Sequence, residues 1–178
     1  MKTIVYITIS ILIFCFTAFA EEDVRISQHI MVKSVFIYNF TKYIQWPSDD
    51  SSGVFIIGVY GESNIVIALK EIARKKTVSG RKIQIKQYQH TNNIDKCHIL
   101  FITQNEEKAI PDILDRIKNK NILSVSEVDN FSEHGGMINL IPIEGKIKFE
   151  INLASLKRAG LTAGSQLLKL AILVDVDK

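Results

Sequence analysis

At 178 residues, 47% of them hydrophobic, the chain suits one domain with a substantial core and is short for two. Its 22 basic and 19 acidic residues nearly balance, which gives no ground for a nucleic-acid partner. Only two cysteines are present, Cys15 and Cys97, so a disulfide framework has little to build on.

The N-terminus reads as an export signal. Lys2 supplies the charge, Ile4 to Phe16 is apolar apart from Thr8 and Ser10, and Ala18-Phe19-Ala20 fits the small-x-small cleavage rule. The pattern favours cleavage after Ala20 over an uncleaved anchor. Phe14 before Cys15 speaks against a lipoprotein, because a lipobox needs a small residue there. Residues 1–20 are therefore expected to leave, and 21–178 to form the working domain. Cys15 goes with the signal, so Cys97 has no intramolecular partner. Burial is favoured over pairing between chains, since Cys97 opens the run Ile99-Leu100-Phe101-Ile102.

The next elements alternate. Ile30, Val32, Val35, Phe36, Phe40, Tyr43 and Ile44 recur at helical spacing, and the helix is expected to end at Trp46 because Pro47 disfavours helix in the residue before it. A polar loop, Ser48 to Gly53, leads into a buried strand from Val54 to Tyr60. Gly61-Glu62-Ser63-Asn64 then turns into a helix around Ile65 to Lys75, with Ser63 or Asn64 as cap. Lys82, Gln84 and Lys86 alternate with Ile83, Ile85 and Gln87, as in a strand near a sheet edge. Cys97 to Thr103 reads as a central strand, Glu106 to Lys118 as a helix, and Ile122 to Val125 as a short strand.

The last third changes pattern. Met137 to Ile141, the turn at Glu144-Gly145, and Ile147, Phe149 and Ile151 alternating with Lys146, Lys148 and Glu150 predict a hairpin with one wet face. Asn152 stands where a helix from Leu153 to Ala159 would be capped, and Gly160 breaks that helix. Leu161, Leu167, Leu168, Leu170 and Ala171 predict a final apolar helix. The fold class is α/β: a single domain with a mixed sheet, helices on both faces, and a C-terminal hairpin with closing helices.

Chemistry is harder to find. Cys97 and His98 are adjacent, but neighbours on a strand face opposite ways, a poor arrangement for a nucleophile and its base. His29, His90, His98 and His134 show no short-spaced ligand pair, so no metal or other cofactor is expected. Gly58 to Ser63 lies where a phosphate loop would lie but lacks the third glycine and the Lys-Ser/Thr ending; an ordinary turn explains it better. Gly164-Ser165 lacks the frame of a hydrolase elbow. Tyr38, Asn39, Lys42 and Gln45 leave room for an aromatic-polar surface on the first helix, though core packing is the simpler account of its aromatics.

Five blocks in order resemble the YfiR family of exported bacterial regulators. They are Lys33-Ser34-Val35-Phe36-Ile37-Tyr38-Asn39-Phe40-Thr41-Lys42-Tyr43-Ile44-Gln45-Trp46-Pro47, Cys97-His98-Ile99-Leu100-Phe101-Ile102, Gly135-Gly136-Met137-Ile138, Phe149-Glu150-Ile151-Asn152, and Ala159-Gly160-Leu161 with Leu167-Leu168-Lys169-Leu170-Ala171. The resemblance implies a non-enzymatic periplasmic protein, often a homodimer, that binds the periplasmic region of an inner-membrane signalling protein. In the best-known setting that partner is a diguanylate cyclase, whose release raises cyclic di-GMP and favours biofilm. Disulfides couple release to redox conditions in some members, a device that Cys97 alone does not offer.

On this reading the 146–169 surface is expected to dock the partner. Lys148 and Glu150 lead, followed by Lys157, Gln166 and Lys169, against the plain alternative of a solvated face with weak ion pairs. Thr162-Ala163-Gly164 is smaller than a docking surface of this kind leads one to expect, which leaves a sensor kinase or another receptor as compatible as a cyclase. The competing function is a small-ligand sensor or solute-binding protein with its site near Gly61 to Asn64.

Overall fold

A computed structural model of the chain describes residues 28–47 and 53–174. The export signal, with its cleavage site after Ala20, and most of the loop after Pro47 lie outside the described residues. Helix α1 covers 28–43. There follow β1 (Ile44–Gln45), β2 (Phe55–Tyr60), α2 (Ile65–Lys75), β3 (Thr77–Val78), β4 (Arg81–Tyr88), β5 (Ile99–Ile102), α3 (Ile110–Ile117) and β6 (Leu123–Ser126). The C-terminal part contributes β7 (Ile138–Ile143), β8 (Lys146–Asn152), α4 (Leu153–Arg158), β9 (Thr162–Ala163), α5 (Ser165–Leu168) and β10 (Ile172–Val174).

Among the described residues eight strands form one mixed sheet in the order β10-β8-β7-β6-β5-β2-β4-β3. β4, β2, β5, β6 and β7 are parallel to their neighbours, while β8 returns antiparallel to β7 and β3 antiparallel to β4. Strand alternation sends one residue set to each face. Phe55, Ile57, Val59, Phe101, Val125, Leu140 and Phe149 meet Ile37 and Phe40 of α1 and Leu69 of α2 in one core. Tyr60, Leu100 and Ile102 meet Ile110, Ile113 and Ile117 of α3, with Val128 and Phe131 from the segment after β6, in the other. The predicted α/β architecture, a mixed sheet between helical layers, is what the chain adopts.

Local rules explain the hairpin and the helix after it. Glu144 and Gly145 both take positive φ, 50° and 73°, the pairing that a two-residue turn needs to match the strand twist. Asn152 caps α4: its Oδ1 accepts from the Ser155 N–H at 2.9 Å, and its Nδ2 donates to the Ser132 carbonyl at 2.8 Å. At the other end Gly160 adopts φ 71°, its N–H bonding Lys157 O and that of Leu161 bonding Leu156 O, each at 2.9 Å. Asn152→Ala removes both side-chain bonds from a buried position and is expected to cost about 1–2 kcal/mol of unfolding free energy, read from urea denaturation.

Four expectations need correction. α1 ends at 43, and Ile44–Gln45 instead pair antiparallel with Ala163 and Thr162, a distant pairing that Pro47, which restricts only the residue before it, does not signal. On α1 the buried positions are Ser34, Ile37 and Phe40, whereas Val32 and Val35 are each 42% exposed; the packed stripe is rotated from the one the apolar spacing marks. The helix expected from Glu106 is a 3-10 segment over Gln104–Ala109 that becomes α-helical only at Ile110, with Pro111 in its first turn. The final apolar helix shrinks to the four residues of α5, flanked by β9 and β10, since Ile172-Leu173-Val174 is β-branched-rich and finds β8 beside it.

Candidate functional site

Positions that would carry catalysis are occupied by structural roles. Cys97 is buried, and its thiol donates to the Ile94 carbonyl at 3.1 Å. His98 Nδ1 accepts from the Ile56 N–H at 3.0 Å, and its ring stacks on Phe55 at 4.4 Å. Among the described residues no three metal-ligating side chains come together. At the glycine turn the N–H of Gly61 bonds the Tyr88 carbonyl at 2.9 Å and that of Ile65 bonds Ser63 Oγ at 3.2 Å. Gly61 has φ 94°, and a side chain there would strike Thr103 and the Glu106 side chain. Two turn amides are thus already engaged, and a carboxylate overhangs the place where an anion would rest.

Burial pushes the Cys97 thiol up to about 12, and burial, then the nearby Cys97 and Asp95 charges, push the Tyr88 hydroxyl up to about 12 as well. Both groups favour the neutral form on folding, so their stabilisation is complete below the unfolded values and is lost as pH rises toward the folded ones. Unfolding free energy is therefore expected to fall between about pH 9 and pH 12, and Cys97 to stay unmodified by a thiol reagent at pH 8 until the chain is unfolded. Melts across that pH range, with labelling before and after denaturant, measure both.

The docking candidates lie on β8 and on the elements that follow it. Lys148 is exposed on β8; Lys157 is exposed on α4, Gln166 on α5, and Lys169 just beyond α5. β10 lies parallel to β8 with Ile172 opposite Glu150, so the chain from Lys169 enters the sheet edge on the Lys148 side of Glu150. Glu150 differs from the others. It is half-buried, and its carboxylate accepts from Ser132 Oγ and from Asn139 Nδ2 at 3.4 Å, which ties the segment after β6 to the hairpin. Thr162-Ala163-Gly164 also has a structural cause: Thr162 and Ala163 pair with β1, the Gly164 N–H bonds Tyr43 O at 2.8 Å, and a Cβ on Gly164 would sit 3.3 Å from that oxygen.

Sequence reading missed the apolar part of this surface. Leu153 and Ile172 are exposed, Leu170 is 74% and Leu173 53% exposed, and among the described residues β10 is the last strand of the sheet. An edge strand offers an unpaired row of N–H and C=O groups beside those side chains. The signal was the run Ile172-Leu173-Val174, which reads as strand once it is taken apart from the leucines before it.

A family model described as YfiR/HmsC-like matches residues 31–172. No curated protein matches the chain. Among solved structures, the ABC domain in complex with L-Trp from Streptococcus pneumonia aligns at a TM-score of 0.49 and 14% identity, over 68% of this chain and 55% of that one. The chain thus spans little more than half the length of that structure.

Proposed function

Because this chain belongs to the YfiR/HmsC-like family, a group of periplasmic regulators of cyclic di-GMP signalling, we propose that it binds and restrains the periplasmic region of an inner-membrane signalling protein, a diguanylate cyclase. The observation that carries the reading is the family match over 31–172. Two features support it. The sites that would hold chemistry are filled by packing, and the β10 edge joins exposed apolar side chains to Lys148 and Lys169. A partner surface needs that combination of apolar centre and polar rim.

The partner's segment adds to the edge at β10, while Lys148, Lys157, Gln166 and Lys169 set its register through charge and hydrogen bonding. Glu150 acts from behind, holding the hairpin to the segment after β6. The regulator works as a homodimer, with export and cleavage after Ala20 delivering it to the periplasm. Deleting the coding sequence tests the cyclase reading: cellular cyclic di-GMP and surface attachment are expected to rise and to return when the exported protein is restored. Unchanged cyclic di-GMP in the deletion strain would refute it.

A further inference from the structure

A groove of about 600 Å³ runs beside α3, on the sheet face opposite α1 and α2. Pro111 and Leu114 of α3 face it on one side, and the buried Ile110, Ile117, Val128, Phe131 and Met137 form its floor and far side. The far side is fixed in place, because Gly136 lies so close to the Phe131 ring that any side chain at 136 would strike it. A volume of this size is that of a small-molecule site.

The groove is charged unequally along its length. Glu107 follows β5 and Asp129 follows β6, so both stand at the end where the parallel strands finish. Arg158 stands at the opposite end, where Asn121, two residues before β6, donates to the Ala159 carbonyl at 2.8 Å. Arg158 Nη2 donates to Oγ of the buried Ser155 at 2.9 Å, which holds the guanidinium over the groove. Among the described residues no carboxylate pairs with Arg158, nor any cation with Glu107 or Asp129, whereas Lys118 is satisfied by Asp115 at 2.6 Å. Cation at one end, carboxylates at the other and apolar walls between them describe the inverse of one kind of molecule.

We infer that the groove binds a short apolar peptide with free termini, its carboxylate on Arg158 and its ammonium between Glu107 and Asp129. Length agrees. Eight residues of α3 rise about 12 Å, and an extended peptide covers that distance in about three to four residues. The net charge of the ligand is near zero, so a dianion or a phosphate meets the two acids and is rejected, and a plain fatty amine leaves Arg158 without an acceptor. This site is separate from the β10 edge, and its test reads binding alone, independent of any membrane partner.

Calorimetric titration of the processed protein with trileucine is the direct test, run beside its C-terminal amide and its N-acetyl form. Trileucine is expected to bind saturably at one site, and each capped form to bind about tenfold or more weakly, the loss of one charge-assisted contact. Arg158→Met, an exposed position that keeps an apolar stem, is expected to lower trileucine affinity to that of the amide and to leave the amide unchanged. Absence of saturable binding, equal affinity for the amide and the free acid, or an Arg158→Met variant that still prefers the free acid would each overturn the proposal.

Discussion

Phe40→Ala is expected to remove about 3–5 kcal/mol of unfolding free energy, the largest loss of any single truncation on α1. Phe40 is fully buried. Its ring meets Phe149 edge-on at 5.5 Å and Phe36 at 6.3 Å, so α1 is clamped onto the hairpin by three aromatics. Removing the Phe40 ring deletes both contacts, leaves the Phe36–Phe149 pair at 5.7 Å, and opens a cavity between helix and sheet that neighbours on a rigid sheet fill poorly. Domains of this size hold about 5–15 kcal/mol in total, so the variant is close to the threshold of folding. Phe36→Ala, at a half-buried position, is expected to cost less. Urea denaturation of both decides the matter; a loss below about 1 kcal/mol for Phe40→Ala would mean that α1 does not pack on β8 as described.

The second large effect is on signalling. Combining Lys148→Glu, Lys169→Glu and Ile172→Asp reverses two exposed charges and puts a carboxylate into the apolar strip at the sheet edge. All three positions are exposed, but Ile172→Asp puts a carboxylate opposite Glu150, so the melting temperature is expected to fall by a few degrees with the fold retained, while partner affinity is expected to fall by about a hundredfold or more, the scale of losing a central contact to a desolvated like charge. In cells the variant should be exported normally and should give the high cyclic di-GMP of the deletion strain. A variant that restores repression as fully as the parent protein would place the docking surface elsewhere.

Much of the fold was legible because its determinants are local. The Asn152 cap, the Gly160 stop and the Glu144-Gly145 turn depend on backbone positions that only certain residues occupy well, and each can be read from three or four neighbours. The strand runs from Phe55 and Ile99 are apolar on both faces because each strand is covered twice, and such runs are read easily. What failed depends on distant partners. Ile44-Gln45 and Thr162-Ala163 are strands only because they meet each other across more than a hundred residues, and Ile172 to Val174 only because β8 has a free side.

For the proposed docking surface, what the sequence made legible was the exposure of single residues. Alternation in β8 placed Lys148 on an open face, and the structure keeps it exposed; it gave no sign that Glu150, two residues on, is taken up by Ser132 and Asn139. Those partners lie 18 and 11 residues away, so no spacing rule reaches them. The α3 groove was invisible because its two ends are assembled from Glu107, Asp129 and Arg158, which share no motif.

The central claim is that the β10 edge restrains a membrane signalling protein, and site-directed photo-cross-linking in the native envelope tests it most directly. A photoreactive residue at Ile172 is compared with one at Lys70, which is exposed on α2 away from that edge. The expected result is an adduct at position 172, absent at 70, containing an inner-membrane protein with a periplasmic region and a cyclase domain. Recovery of only the uncoupled chain or its own dimer from position 172 would contradict the account.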